Sequence, residues 1–165
     1  MGAERIIAIN AEKCTNCKMC EIVCSIYHDG KGTLNHSRIK VQGWKDVAAY
    51  FPVVCQHCET PACEEACPAK ARKKVGSTGA MITDTKKCVG CKSCIYACPF
   101  AAPSIHPDTK KTMTCDLCEG EPLCVQFCNY NAISYVPFYK VSISRKKSYY
   151  EVLLKTWKNM PGRRG

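Results

Sequence analysis

All sixteen cysteines of this 165-residue chain fall into four runs of four. The runs are Cys14, Cys17, Cys20 and Cys24; Cys55, Cys58, Cys63 and Cys67; Cys88, Cys91, Cys94 and Cys98; and Cys115, Cys118, Cys124 and Cys128. The first and third have the spacing C-x2-C-x2-C-x3-C, with which thiolates ligate 4Fe–4S clusters. The second and fourth have a longer gap before the third cysteine. Sixteen thiolates supply four ligands to each of four clusters, so the sequence predicts four 4Fe–4S clusters as cofactors.

Two other uses of cysteine fit this pattern less well. Disulfide scaffolds are typical of short secreted chains, whereas the N-terminal sequence has neither an apolar signal segment nor a twin arginine. A zinc-binding interaction module favours two C-x2-C pairs that are separated by about 12–20 residues. The first run instead places three cysteines within seven residues. Zinc therefore stays as the alternative from another class of function.

The middle of the chain resembles a two-cluster ferredoxin. In such ferredoxins the fourth cysteine of each run ligates the other cluster. Between Cys55 and Pro99, two runs are joined by a predicted turn over residues 70–79 and a short predicted strand over residues 80–83. A C-[PN]-x-x-A form follows three of the runs, at Cys67, Cys98 and Cys128. This inner pair of runs therefore predicts one complete ferredoxin unit.

The outer runs pair by elimination. Apolar segments at residues 6–9 and 132–136 are predicted strands, and a ferredoxin unit has such a strand at each end, where the two pair. The inner unit is thus inserted inside an outer one. The predicted ligand sets are set 1 (Cys14, Cys17, Cys20 and Cys128), set 2 (Cys24, Cys115, Cys118 and Cys124), set 3 (Cys55, Cys58, Cys63 and Cys98) and set 4 (Cys67, Cys88, Cys91 and Cys94).

The predicted fold class is α+β, with short antiparallel strand pairs and short helices around the clusters of two nested bacterial-ferredoxin-like units. The predicted boundaries are residues 1–28 with 105–139 for the outer unit, 29–54 for a hairpin insertion, 55–104 for the inner unit and 140–165 for a basic extension. The hairpin strands are expected over residues 37–41 and 49–54. In the extension, Ser148 and Glu151 form a capping box for a helix over about residues 149–160, which either packs on the chain itself or docks a partner.

The formal net charge of +10 at pH 7 resembles that of a nucleic-acid-binding protein. Each oxidised cluster with four thiolates contributes about −2, so the loaded protein is near +2. Residues 140–165 hold eight lysines and arginines against one glutamate. The sequence therefore predicts an acidic electron carrier with a basic tail, which favours an acidic partner surface and no nucleic acid.

Several segments together resemble the small four-cluster electron-transfer subunits of metallopterin oxidoreductases. These segments are residues 14–25, Ser37-Arg38-Ile39-Lys40-Val41, residues 55–68 and residues 124–133. One related group serves molybdenum enzymes of the dimethyl sulfoxide reductase and formate dehydrogenase type. The other serves tungsten enzymes of the aldehyde:ferredoxin oxidoreductase family, including benzoyl-CoA reductase. The short chain and the early Ser-Arg-Ile-Lys-Val segment look more like the tungsten group.

The resemblance implies a non-catalytic subunit that relays electrons to or from a large tungsten-pterin catalytic subunit. It also implies a flavin/NAD subunit or a ferredoxin as electron acceptor. The predicted order of the relay is set 1, set 2, set 4 and set 3, or a close permutation. A molybdopterin or hydrogenase partner and a free polyferredoxin are the alternatives. No apolar stretch reaches 18 residues, so no membrane span is expected, and thiolate clusters without a signal peptide predict a cytoplasmic location.

Overall fold

The computed structural model describes residues 5–44 and 49–141 of the chain. The helix predicted over residues 149–160 lies outside these ranges. In chain order the elements are β1 (Arg5–Ile9), a 3-10 helix (Ala11–Lys13), α1 (Met19–Asp29), a 3-10 helix (Leu34–His36), β2 (Lys40–Trp44), β3 (Ala49–Val53), α2 (Ala62–Glu65), β4 (Arg72–Lys74), β5 (Met81–Thr83), α3 (Ser93–Tyr96), β6 (Ser104–Ile105), β7 (Thr112–Met113), a 3-10 helix (Leu117–Gly120), α4 (Leu123–Gln126) and β8 (Ile133–Pro137).

The strands of the described ranges form four separate antiparallel pairs. β1 pairs with β8, with Ile7 opposite Tyr135, so the predicted pairing of the terminal strands is confirmed. β4 pairs with β5, and β6 pairs with β7. On the helical side, α1 packs against α4 and α2 packs against α3. The molecule is thus a small α+β protein of ferredoxin-like construction.

The hairpin predicted between the first two runs is confirmed, since β2 and β3 pair antiparallel. Its first strand begins at Lys40 rather than at Ser37. The reason is local: Ser37 Oγ donates to the Ile39 carbonyl oxygen at 2.6 Å and turns the chain before the strand begins. A second correction concerns the basic segment over residues 70–79. The predicted turn is wrong for Arg72–Lys74, which form β4 because β5 supplies their backbone partners.

Helix α1 is eleven residues long, whereas α2, α3 and α4 have four each. Proline follows the fourth cysteine in the second and third runs, and it cannot continue a helix because it has no N–H. Ser25 stands at that position in the first run, so α1 continues to Asp29 and ends at Gly30, whose φ is +64°. α4 ends at Gln126 although Asn129 replaces proline there.

The C-[PN]-x-x-A form has one structure in its three copies. Lys70, Ala101 and Asn131 have φ of +46°, +50° and +50°. Each donates its N–H to the carbonyl oxygen of the cysteine three residues before it, at 3.0–3.2 Å. The chain therefore turns sharply after the last cysteine of each of these runs, which redirects it away from the ligands that precede it.

The core is shared between apolar side chains and cysteines. Buried residues of β1 and β8, such as Ile7 and Ile133, pack in one cluster with Ile39, Met81 and Leu117. Six cysteines belong to that cluster. A core in which thiols take so many positions depends on whatever the thiols bind. Within the described part of the chain, no helix is long and apolar enough to cross a membrane.

Candidate iron–sulfur sites

The four cysteines of set 1 line one cleft. Cys14 and Cys17 lie in the loop before α1, and Cys20 lies in the first turn of α1. Cys128 lies in the segment between α4 and β8. Lys18 at the start of α1 has φ +63°, which lets the chain wrap around the cleft between the second and third cysteines. Met19, Pro52 and Ile133 complete an apolar wall. Cys17 is exposed, so this cleft lies near the surface.

The four cysteines of set 2 line a second cleft. Cys24 comes from α1, Cys115 from the loop after β7, Cys118 from the 3-10 helix Leu117–Gly120 and Cys124 from α4. Backbone N–H groups hold the sulfurs: Arg38 donates to Cys24 Sγ at 3.3 Å, and Leu117 donates to Cys115 Sγ at 3.4 Å. All four thiols are buried, so of the four sites this one is the most shielded from solvent.

Set 3 is brought together around β4 and α2. The thiols of Cys63 and Cys98 act electrostatically on both Cys55 and Cys58, although Cys98 belongs to a different run. Burial raises the pKa of Cys55 to about 11, against the effects of a backbone hydrogen bond from His57 and of the nearby Arg72 charge. The second run therefore faces the last cysteine of the third run.

Set 4 is organised around Thr112 on β7. The Thr112 N–H donates to Cys88 Sγ at 3.5 Å, and its hydroxyl lies 3.4 Å from Cys94 Sγ. Cys91 is exposed and lies 3.4 Å from the Ser93 hydroxyl, and hydrogen bonding by Ser93 lowers the pKa of Cys91. Cys67 Sγ accepts the N–H of Ala71 at 3.3 Å. Cys88, Cys91 and Cys94 thus contact side chains or backbone of β7 and α3. The membership of Cys67 in set 4 stays a prediction.

Burial makes the inner thiols weak acids. It raises the pKa of Cys20 to about 12 and that of Cys118 to about 11, and it also raises the pKa of Cys115 and Cys124. Neighbouring cysteines add to the effect, because gathered thiolates repel one another. Without a cation these thiols keep their protons at neutral pH. Only a strongly bound metal makes thiolates of them, and binding then releases the protons.

Neighbouring sets are close enough to influence each other. Cys20 of set 1 acts electrostatically on Cys124 of set 2. Cys55 of set 3 acts in the same way on Cys115 of set 2. α2 and α3, which carry Cys63 and Cys94, pack together and thereby bring sets 3 and 4 side by side. These contacts favour set 3 as the neighbour of set 2, in place of set 4 in the order predicted from the sequence.

Polar residues beside set 2 were not identified from the sequence. His28 Nε2 lies 3.8 Å from Cys118 Sγ and 3.5 Å from Asp116 Oδ1. Arg38 forms an ion pair with the same aspartate, which joins the segment before β2 to the fourth run. These residues are 78 positions or more apart, so no local spacing could have indicated the contact.

A second group of histidines lies away from the sulfurs. His36 Nδ1 and His106 Nε2 each lie 3.3 Å from a carboxylate oxygen of Asp29. His106 Nδ1 accepts the N–H groups of Asp108 and Thr109, so its hydrogen is on Nε2, facing Asp29. Burial alone would raise the pKa of Asp29, but the hydrogen bonds and charges of the two histidines lower it. His36 Nδ1 and His106 Nε2 are thus hydrogen-bonded to the Asp29 carboxylate, and these bonds connect α1 to the segment between β6 and β7.

The residues present fit iron–sulfur clusters. Thiols are the ligand type that these clusters take. In the described ranges, two buried donor atoms lack a protein partner, His57 Nε2 and Arg72 Nε. His57 Nδ1 accepts the Met81 N–H, so its hydrogen is on the unpartnered Nε2. Arg72 Nη2 donates to Cys63 Sγ at 3.6 Å and the His57 backbone N–H donates to Cys55, so both residues lie beside set 3, where the sulfurs of a bound cluster would serve as acceptors. Burial lowers the pKa of His57 to about 4, so it stays neutral there.

Comparison with known proteins agrees with this chemistry. Residues 45–137 match the family described as "4Fe-4S dicluster domain", and residues 11–30 match the one described as "4Fe-4S binding domain". The aliphatic sulfonate oxidoreductase, polyferredoxin-like subunit, of Pyrococcus furiosus is 37% identical over 127 residues, which cover 76% of this chain and 73% of the relative. The B subunit of anaerobic dimethyl sulfoxide reductase from Escherichia coli is 35% identical over 148 residues, covering 78% and 71%.

A solved structure extends the comparison to the fold. One polypeptide of the active site complex BamBC of benzoyl coenzyme A reductase, as isolated, superposes with a TM-score of 0.50 and 24% identity. The match covers 94% of this chain and 97% of that one. At this identity the likeness concerns the fold alone.

Proposed function

We propose that this chain, which belongs to the 4Fe–4S dicluster domain family and is an iron–sulfur electron-transfer subunit of oxidoreductases, binds four 4Fe–4S clusters through sets 1 to 4 and relays electrons along them. The match of residues 45–137 and relatives above 30% identity show the membership. The chain is not catalytic on its own. The number of clusters, their ligands, their order and the partner are the proposal.

The two clefts carry the proposal. Each is lined by one complete predicted set, and each combines cysteines from the first and fourth runs. A pairing within runs would put Cys24 beside Cys20, whereas Cys24 lies in the cleft of Cys115, Cys118 and Cys124. This exchange of the fourth ligand is the arrangement of two-cluster ferredoxins. It supports set 1 and set 2 as the two sites of one outer unit.

The secondary structure supports the nested boundaries proposed for the units. β1 with β8 and α1 with α4 belong to residues 1–28 and 105–139, the outer unit. β4 with β5 and α2 with α3 belong to residues 55–104, the inner unit. Each unit would therefore have one such strand pair and one helix pair, and the β6–β7 pair crosses the boundary between residues 104 and 105. The hairpin of residues 29–54 covers the outer unit, where Pro52 lies against set 1.

The proposed relay runs through sets 1, 2, 3 and 4 in that order. When bound, a 4Fe–4S cluster supplies reversible one-electron transfer. The chain's own residues hold these sites at fixed separations, since each set has a cysteine on one of the helices α1 to α4, which pack in pairs. Apolar neighbours such as Ile39 and Ile133 keep water from the inner sulfurs. The exposed Cys17 and Cys91 mark sets 1 and 4 as the two ends at which electrons enter and leave.

The proposed partner is a large tungsten-pterin catalytic subunit, with a flavin/NAD subunit or a ferredoxin as acceptor at the other end. The Ser37–Val41 segment and its resemblance to the tungsten group support this choice. The relation to the B subunit of dimethyl sulfoxide reductase supports a second candidate, a molybdopterin partner. In both cases the substrate would be chosen by the partner, because the ligand sets account for all sixteen cysteines of this chain.

The test is an anaerobic affinity purification of the tagged chain from its native host, followed by metal and sulfide analysis. We expect a large subunit with tungsten to co-purify, together with about sixteen irons and sixteen sulfides per chain. Molybdenum in place of tungsten would favour the second candidate. Iron and sulfide without a partner would leave a free polyferredoxin, and zinc without sulfide would refute the cluster assignment altogether.

A further inference from the structure

Arg72 is a buried cation in contact with a proposed cluster ligand. It lies on β4 with 3% of its surface exposed. Nη1 donates to Thr83 Oγ1 at 2.6 Å and to Thr114 Oγ1 at 2.9 Å. Nη2 donates to Cys63 Sγ at 3.6 Å. Two hydroxyls thus fix the plane of the guanidinium, and its other edge faces the sulfur.

The guanidinium has no carboxylate partner within 4.0 Å among residues 5–44 and 49–141. Arginine is charged at any pH that a protein meets. A buried charge is strongly unfavourable unless an opposite charge or hydrogen bonds compensate it. The two threonine hydroxyls are neutral, so among the groups that accept hydrogen bonds from the guanidinium only the Cys63 sulfur of set 3 can carry a negative charge.

We propose that Arg72 is the counter-ion of the cluster held by set 3 and that it raises the reduction potential of that cluster. This inference rests on the proposed function. With its thiolates, a 4Fe–4S cluster carries about −2 when oxidised and about −3 when reduced. Reduction adds one electron, which a neighbouring cluster gives up in the same step, and no proton moves. Arg72 attracts the reduced form more strongly, and burial keeps water from screening the attraction.

The placement is specific to one residue of a basic run. Strand side chains alternate between faces, and Arg72 is buried whereas Lys73 is exposed. Lys74 donates to the Glu59 carbonyl oxygen instead of to a sulfur. Lys73 therefore provides a matched control, since it carries the same charge on the same strand but lies in solvent.

The experiment is an anaerobic redox titration of the loaded protein, followed by electron paramagnetic resonance. Arg72→Gln removes the charge and keeps a polar side chain, and Lys73→Gln is the control. We expect one cluster of Arg72→Gln to become harder to reduce by at least tenfold in its equilibrium constant, a shift of about 59 mV to lower potential. The control should leave all midpoints in place. Unshifted midpoints in a fully loaded Arg72→Gln, or an equal shift in Lys73→Gln, would overturn the proposal.

A measurement on the unaltered protein decides the case in which Arg72→Gln does not assemble its clusters. Protein labelled with ¹⁵N in its arginine guanidinium groups is reduced and measured by pulsed electron paramagnetic resonance. We expect a hyperfine coupling between a guanidinium nitrogen and a reduced cluster, and its loss in Arg72→Lys. No coupling in the unaltered protein would overturn the inference. Iron and sulfide analysis of the same sample separates this outcome from a failure of the proposed function, in which no clusters would be present.

Discussion

Replacing Cys24 by alanine separates the nested pairing from a pairing within runs. Cys20 and Cys24 lie one helical turn apart on α1, yet they line different clefts. The nested pairing assigns Cys24 to the same cluster as Cys118, although the fourth run is far away in the sequence. We therefore expect Cys24→Ala and Cys118→Ala to affect one cluster, and Cys20→Ala to affect another.

The expected magnitude follows from the geometry, because Cys24 lines only one of the two clefts. Loss of one cluster in four lowers iron and sulfide from about sixteen to about twelve each per chain. In the proposed relay set 2 lies between sets 1 and 3, so its loss should also interrupt electron flow from one end to the other. Burial raises the pKa of Cys115, so this thiol would stay protonated and neutral in the core if the cluster of set 2 were lost.

The assay combines iron and sulfide analysis with electron paramagnetic resonance of the reduced protein, in which each cluster is followed by its own signal. The identity of the altered signal decides the question, because a site that keeps three thiolates can retain part of its iron. Cys20→Ala is the matched control, since it removes a ligand from the same helix. If Cys24→Ala and Cys20→Ala alter the same signal and Cys118→Ala alters a different one, the nested pairing is wrong.

Two further predictions concern the scaffold. Glu21→Ala should loosen the hairpin, because the buried Val41 N–H would lose its acceptor Glu21 Oε1 at 2.9 Å, at a cost of about 1–3 kcal/mol. Hydrogen exchange of the Val41 amide measures this, Glu21→Gln is the control that keeps an oxygen acceptor, and unchanged exchange in Glu21→Ala would contradict the reasoning. Gly90→Ala should prevent cluster binding at set 4, because a Cβ at Gly90, whose φ is +71°, would lie 2.5 Å from the Lys110 carbonyl oxygen. Gly76→Ala, whose Cβ would meet nothing within 4 Å, should keep its full iron content, and equal iron in the two variants would refute the clash.

Several features of the fold could be predicted because short-range constraints decide them. Three of the four thiols of each proposed set lie within ten residues of one another in the sequence, so the spacing of the runs is visible there. The terminal strands are visible because short runs of mostly apolar residues mark β1 and β8. The length of α1 could not be predicted in this way, because α4 also lacks the proline after its last cysteine and still ends at Gln126.

The cofactor chemistry, the terminal strand pair and the proposed ligand sets could thus be predicted from the residues alone. Which polar and charged side chains contact the sulfurs depends instead on the tertiary structure. Arg72 belongs to a basic segment that resembles a solvated turn, and its burial depends on Thr83 and Thr114, which arrive from later parts of the chain. Likewise, His28 reaches Cys118 only because α1 packs beside the fourth run. Such contacts depend on the approach of distant segments, for which a single sequence carries no periodicity or spacing.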